Sequence, residues 1–321
     1  MNLNVKEAQD KEILTSLLED ADVFFHNVRM AGMERLGFDY DTVKKINPDI
    51  IYVHCSGYGK GGPYSSLQAY DDLIQAASGF AALSELRDER ADDDRDTRPN
   101  YAPSLVADKV SGMFAAQATM AAYIAKQNGA GGQFVQVPML ESFTWFNMVE
   151  NLWGGTFIPG NDRLGYTRSV NPRRRPYPTK NGYIAIVPYN DKQWVRFFEL
   201  GGIEGIFDDP RFSTYSERTK NIGELYAMIE DLSATRTTEE WIELLAENNI
   251  ACMRYNKVSE VKDDAHLKAV GFFEERESEV MGKYNSMRHP VVYSRTPASI
   301  YADPNLLDAD GDEIRSALGF N

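Results

Sequence analysis

The chain has 321 residues, 43% apolar and 26% charged, enough for one large domain or two ordinary ones, and its globular composition argues against disorder. Its 34 basic and 48 acidic residues give a net charge of −14, which argues against a surface built for nucleic acid. Two cysteines only, Cys55 and Cys252, a polar opening stretch and the lack of any long apolar run point to a cytoplasmic protein with no membrane span.

Ile13, Leu14, Leu17 and Leu18 mark one face of a helix within residues 6–20. Val23-Phe24-Phe25 reads as a short buried strand, Asp39 as the cap of a helix running to Lys45, and Ile50-Ile51-Tyr52-Val53 as a second buried strand. Such alternation predicts an α/β fold with an open parallel sheet. The stretch Ser56-Gly57-Tyr58-Gly59-Lys60-Gly61-Gly62-Pro63 follows the second strand directly, where ligands meet doubly wound sheets. That position marks it as a site-lining loop; an ordinary Gly-Pro turn is the alternative, and with neither a Walker spacing nor G-x-G-x-x-G present the glycine content alone favours neither.

A helix is predicted over 71–86, a solvated charged loop over 87–100, and a long Ala- and Met-rich helix from Asp108 to Gln127. Strand 133–137 and helix 139–152 complete a large domain over 1–152. The Pro-, Gly- and Arg-rich segment 153–178 breaks the periodicity and reads as a linker. Beyond it come strand 183–187, helix 191–200, and a capping box at Thr237 and Glu240 ahead of a further helix. Strands over 272–278 and 290–294 are expected to finish the pattern. We therefore expect a second, smaller α/β domain over 179–285, with 286–321 returning to the large one.

Asp108 is the residue most suggestive of chemistry, because Pro103 to Ala107 delivers its carboxylate to the start of a long helix. The helix end should hold it ionised, by about 0.3–1 kcal/mol, and available as a nucleophile. Helix capping is the commoner use of such an aspartate. Metal sites are not indicated: the 308–312 acidic run lacks calcium-loop spacing. No general base is assigned to His26, His54, His266 or His289.

The order of four motifs resembles the family III CoA-transferases: Ala-Asp-Val-Phe-Phe-His-Asn-Val-Arg at 21–29, Glu-Arg-Leu-Gly-Phe at 34–38, Ile-Asn-Pro-Asp-Ile-Ile-Tyr at 46–52, and Ser-Gly-Tyr-Gly-Lys-Gly-Gly-Pro-Tyr at 56–64. Tyr70-Asp71, Val106-Ala107-Asp108 and the 131–137 and 177–183 stretches extend the likeness over nearly the whole chain.

The resemblance implies an incomplete Rossmann-like large domain, an interlocked homodimer, and Asp108 as the aspartyl nucleophile that passes CoA from an acyl-CoA to a small carboxylic acid. It places CoA at Asn27, Val28, Arg35 and Leu36 and at Ser56, Gly57 and Tyr58. Gly59, Gly61 and Gly62 would supply oxyanion donors and Tyr70 an acyl contact. CoA is then a substrate, and neither a metal nor a redox cofactor is implied.

Two other readings stand beside this one. Racemase members carry a histidine where this chain has Tyr70, a poor base with a reference pKa near ~10. A non-catalytic CoA-binding or assembly subunit is the other. Family members also begin with a strand-helix unit that precedes the position of Met1, which leaves three alternatives: the sequence is a truncated piece, a separate chain supplies the unit, or the protein has lost ordinary CoA binding. Residues 169–175 replace the glycine-rich lid of some members, and Arg173, Arg174 and Arg175 there form a local cluster able to meet phosphate.

Overall fold

The computed structural model describes residues 1–91, 93–94, 96–161 and 163–320. By its internal contacts the chain divides into two units, one of Leu3–Pro172 with Arg315–Asn321, the other of Met1–Asn2 with Arg173–Ile314.

The first unit runs α1 (Ala8–Glu19), β1 (Val23–His26), α2 (Met30–Leu36), α3 (Tyr40–Ile46), β2 (Ile51–Ser56), α4 (Asp71–Ala77), α5 (Ala82–Asp88), α6 (Val106–Ala125), β3 (Gln133–Pro138) and α7 (Met139–Asn151). Its three strands form a parallel sheet in the order β1-β2-β3, with Val23 level with Ile51 and Ile51 level with Gln133. The near-continuous apolar run in β2 reflects burial on both faces. Tyr52 packs with Leu18, Met33, Phe38 and Val43 on one side; Ile51 and Val53 meet Ala115 and Ala122 of α6 on the other. Alanine on that face of α6 lets the helix lie close to the sheet. Each fully buried aliphatic side chain contributes about 1.5–3 kcal/mol, an upper estimate for a compact unfolded chain. Asp39 caps α3 as expected, accepting from the Thr42 amide at 3.2 Å.

The helix expected over 71–86 is broken. Gly79 adopts φ +78, a left-handed conformation that ends α4, and the Ser78 carbonyl is taken by Asn147 Nδ2 at 3.1 Å. The charged run expected as a loop from 87 yields its first residues to α5, where buried Asp88 pairs with Arg87 at 2.7 Å. Residues 92 and 95 of that run lie outside the described residues.

The second unit holds β4 (Tyr177–Thr179), β5 (Gly182–Val187), α8 (Asp191–Leu200), α9 (Tyr215–Lys220), α10 (Ile222–Ser233), α11 (Thr238–Glu247), β6 (Ala251–Arg254), α12 (Ala265–Ala269), β7 (Phe273–Ser278) and β8 (Gly282–Met287); near the chain end the division between the units falls within α13 (Gly311–Ala317). Strands β4-β5-β6 are antiparallel and cover a core of Trp241, Phe197, Phe198, Leu225 and Ile229. The capping box of Thr237 and Glu240 opens α11 as read from the sequence. The strand expected at 290–294 does not form. Pro290 has no amide to donate, and β7 pairs instead with β8, just ahead of that stretch.

Candidate active site

At the carboxyl ends of β1, β2 and β3 the first unit opens two cavities, of about 470 Å³ and 780 Å³. Both are lined by Asn27, Arg29, Ser56 and Gly57, so one leads into the other. Gly57 allows the approach: a Cβ there would sit 2.3 Å from the Cβ of Ala69. Tyr58, Lys60 and Gln136 line the first cavity, and Asp108, Tyr70, Ser111 and Met139 the second.

The glycine loop is tied down from β3 and α7. Gly59 donates its amide to Glu141 Oε1 at 2.8 Å, and Lys60 donates to Gln136 Oε1 at 3.3 Å. Gln136 Nε2 in turn donates to Ser56 Oγ at 2.9 Å. The Gly62 amide points to the Gly59 carbonyl at 3.4 Å. Two of the expected oxyanion donors, Gly59 and Gly62, therefore have acceptors within the protein, while Gly61 turns at φ +89. None of the three lines either cavity.

Asp108 occupies the third position of α6, not its cap; Leu105 holds the cap position without a side-chain bond. One of the open amides of the helix start is met by Asp71 of α4, whose Oδ2 accepts from the Asp108 amide at 3.0 Å. Partial desolvation, and then the negative charge of Asp71, push the Asp108 carboxyl above its ordinary pKa. That reverses the sign expected from the helix end alone: Asp108 is a more basic carboxylate, and its side chain stays accessible from the cavity.

His26 and His54 are buried and stacked, with ring centroids 4.9 Å apart, and each lines one cavity. Burial, then the neighbouring His54, pushes His26 down to about 4. Burial lowers His54 as well, while the Val28 backbone pulls weakly the other way on both. Neutral imidazoles packed against Phe24 and Tyr52 are core side chains.

The remaining sequence candidates scatter. Val28 is exposed, Arg35 sits exposed in the last turn of α2, and Leu36 packs onto the core beside Phe38; none lines a cavity. Arg29 and Lys60 are the cations that do line the first one, among the carboxylates of Glu34, Asp39 and Asp41. Of the 173–175 cluster, Arg175 pairs with Glu230 at 2.9 Å and Arg173 approaches it at 3.9 Å. Sequence reading missed Arg29, Asp71, Gln136 and Glu141. Glutamine in an otherwise apolar strand, and an acid just after Tyr70, were the available signals. Among the described residues no group of three or more His, Cys, Asp or Glu comes together to hold a metal, and no helix is long and apolar enough to cross a membrane.

The first unit is thus an α/β fold with a carboxylate near a helix start facing a cavity at the carboxyl edge of its parallel sheet, the edge where such folds place ligands. Residues 1–311 match the model of CoA-transferase family III, and the chain belongs to that family. An acyl-CoA transferase of Fusarium pseudograminearum is 31% identical over 250 residues, covering 76% of this chain and 52% of that one, so the chain spans about half of that relative's length. A formyl-CoA:oxalate CoA-transferase of Rhodopseudomonas palustris is 25% identical over 346 residues, covering 100% of this chain and 79% of that one. A CAIB/BAIF family protein from Brucella suis superposes with a TM-score of 0.76 at 25% identity, covering 98% of this chain and 80% of that one.

Proposed function

We propose that this chain transfers CoA from an acyl-CoA to a small carboxylic acid, with Asp108 as the covalent carrier. The supporting observation is the carboxylate of Asp108 facing a cavity that runs on, past Asn27 and Ser56, into one bearing Arg29 and Lys60. A thioester presented from the first cavity brings its carbonyl to Asp108. The carboxylate attacks, the C–S bond breaks, and a mixed anhydride and CoA thiolate result. The thiolate attacks the Asp108 carbonyl, releases the donor acid and leaves an aspartyl-CoA thioester. The acceptor carboxylate attacks that thioester, giving a second anhydride and thiolate, and the thiolate returns to the acceptor's carbonyl to free Asp108 and the new acyl-CoA. No step needs a proton, which suits a site whose histidines are held neutral.

In this reading Arg29 and Lys60, rather than Arg35, meet the phosphates of CoA, and Gly57, which lines both cavities, remains as a candidate oxyanion donor. Borohydride added with acyl-CoA should reduce the thioester at Asp108 and change the mass of its peptide. An unmodified peptide under turnover would reject covalent carriage.

The expectation of a homodimer is supported by apolar side chains left exposed on α6 and α7: Met113, Ile124, Trp145 and Val149 are each more than half exposed. Light scattering at micromolar concentration is expected to give twice the chain mass. A monomer there would remove the dimer from the proposal.

A further inference from the structure

Asp71 and Gln75 stand one turn apart on α4, both buried, and no step of the transfer uses them. Gln75 Nε2 donates to Asp71 Oδ1 at 2.6 Å and to the Ser104 carbonyl at 3.3 Å. Gln75 Oε1 accepts from the Ala102 amide at 2.8 Å, and Asp71 Oδ2 from the Asp108 amide at 3.0 Å. The pair therefore grips the chain at three points between residues 102 and 108, the segment that leads into α6. Local backbone bonds from Ser104 to Ala102 and from Val106 to Ser104 turn the segment, but the cap residue Leu105 offers no side-chain bond, and the tie to α4 comes from this pair. A buried carboxylate is costly unless its oxygens are bonded. These two oxygens are bonded, one of them to the turn that carries the nucleophile.

We infer that Asp71 and Gln75 are positioning residues that clamp residues 102–108 and so aim the Asp108 carboxylate into the cavity. The inference rests on the transferase reading above. Asp71 also acts as a second negative charge beside Asp108, which raises the basicity of the nucleophile. The other titratable groups lining the cavity are His26 and Arg29 from β1 and the segment after it, Cys55 from β2 and Tyr70 ahead of α4. Lys109 of α6 is turned to Ser104 Oγ at 2.9 Å. Among the described residues, Asp71 is the anion the geometry joins directly to the Asp108 turn.

Asp71→Asn removes that charge and keeps an acceptor for the Asp108 amide, but sets an amide nitrogen against Gln75 Nε2, donor facing donor. The double variant Asp71→Asn/Gln75→Glu exchanges donor and acceptor and restores the bond between positions 71 and 75, while giving up the longer bond to the Ser104 carbonyl, so recovery is expected to be partial. Asp71→Asn is expected to lower kcat by roughly 10²-fold through misplacement of the nucleophile, and to move the acid limb of kcat/KM to lower pH. The double variant should regain at least about tenfold of that loss, and it stands as the readout if the single variant melts. Carbodiimide labelling of Asp108 against pH, followed by peptide mass in substrate-free protein, should shift in the same direction in Asp71→Asn. That shift in a protein without transferase activity would uphold the positioning and sink the transfer reading. Transfer intact but with neither pH curve moved would overturn the positioning, as would a loss of kcat that the double variant does not recover.

Discussion

Asp108→Ala is expected to lower CoA transfer by roughly 10⁴-fold or more, the scale seen when a covalent nucleophile is deleted, with little change in thermal stability. The two halves of that expectation come from different atoms. Transfer depends on the carboxylate, which the substitution removes. The start of α6 depends on the Asp108 backbone amide, which alanine keeps, and on the Asp71 carboxylate that accepts from it at 3.0 Å. Alanine is also the better helix former, and its presence relieves the like charge facing Asp71. Stability should therefore hold or rise slightly. Asp108→Glu retains the carboxylate and moves it by about one methylene, and a loss on the order of 10²-fold is expected from the displacement alone. Initial-rate assays with an acyl-CoA donor, beside melting curves for each variant, decide the matter. Turnover retained in a folded Asp108→Ala protein would remove Asp108 from the mechanism.

The parallel sheet was legible because its strands are short apolar runs alternating with helical periods, a pattern that burial on both faces imposes locally. Asp39, Thr237 and Glu240 were legible for the same reason, since caps act within one turn. The break at Gly79 was not, because glycine inside a helical pattern signals nothing until its φ is known. β8 has a polar, largely exposed sequence, and only its pairing with β7 defines it.

At the site, the order of motifs led to Asp108, Asn27, Ser56 and Gly57, residues the fold does bring around one pair of cavities. It did not lead to Asp71 as the partner of Asp108, which lies 37 positions away in sequence. Nor did it lead to Glu141, 82 positions from the Gly59 amide it accepts. Contacts across such distances leave no local period. Arg35 lies inside a quoted motif, yet from the last turn of α2 it lines neither cavity.

Acidification from pH 7 to 5 is expected to cost this protein about 2 kcal/mol of stability through His26 alone, with His54 adding in the same direction. Burial pushes His26 down to about 4 when folded, against the ordinary histidine value of 6.5. Its folded pKa is thus below its unfolded one, so below pH 6.5 the unfolded chain binds the extra proton and gains. The stability is fully present above about pH 6.5, falls as pH drops towards 4, and levels off once both states are protonated, after a total loss of about 3 kcal/mol. The cause is local. His26 is 9% exposed and lies between Phe24, Tyr52 and the stacked ring of His54. A charge there would be both desolvated and set against a second imidazole. Carboxylates with lowered pKa, such as Asp39, bonded to Thr42, lose their contribution only below their ordinary range, so the interval between 4 and 6.5 belongs mainly to the histidines. His26→Phe keeps the aromatic packing and removes the titration. Urea midpoints at pH 7 and 5 should therefore draw together in the variant by at least half of the wild-type difference, and an undiminished difference would place the acid sensitivity elsewhere.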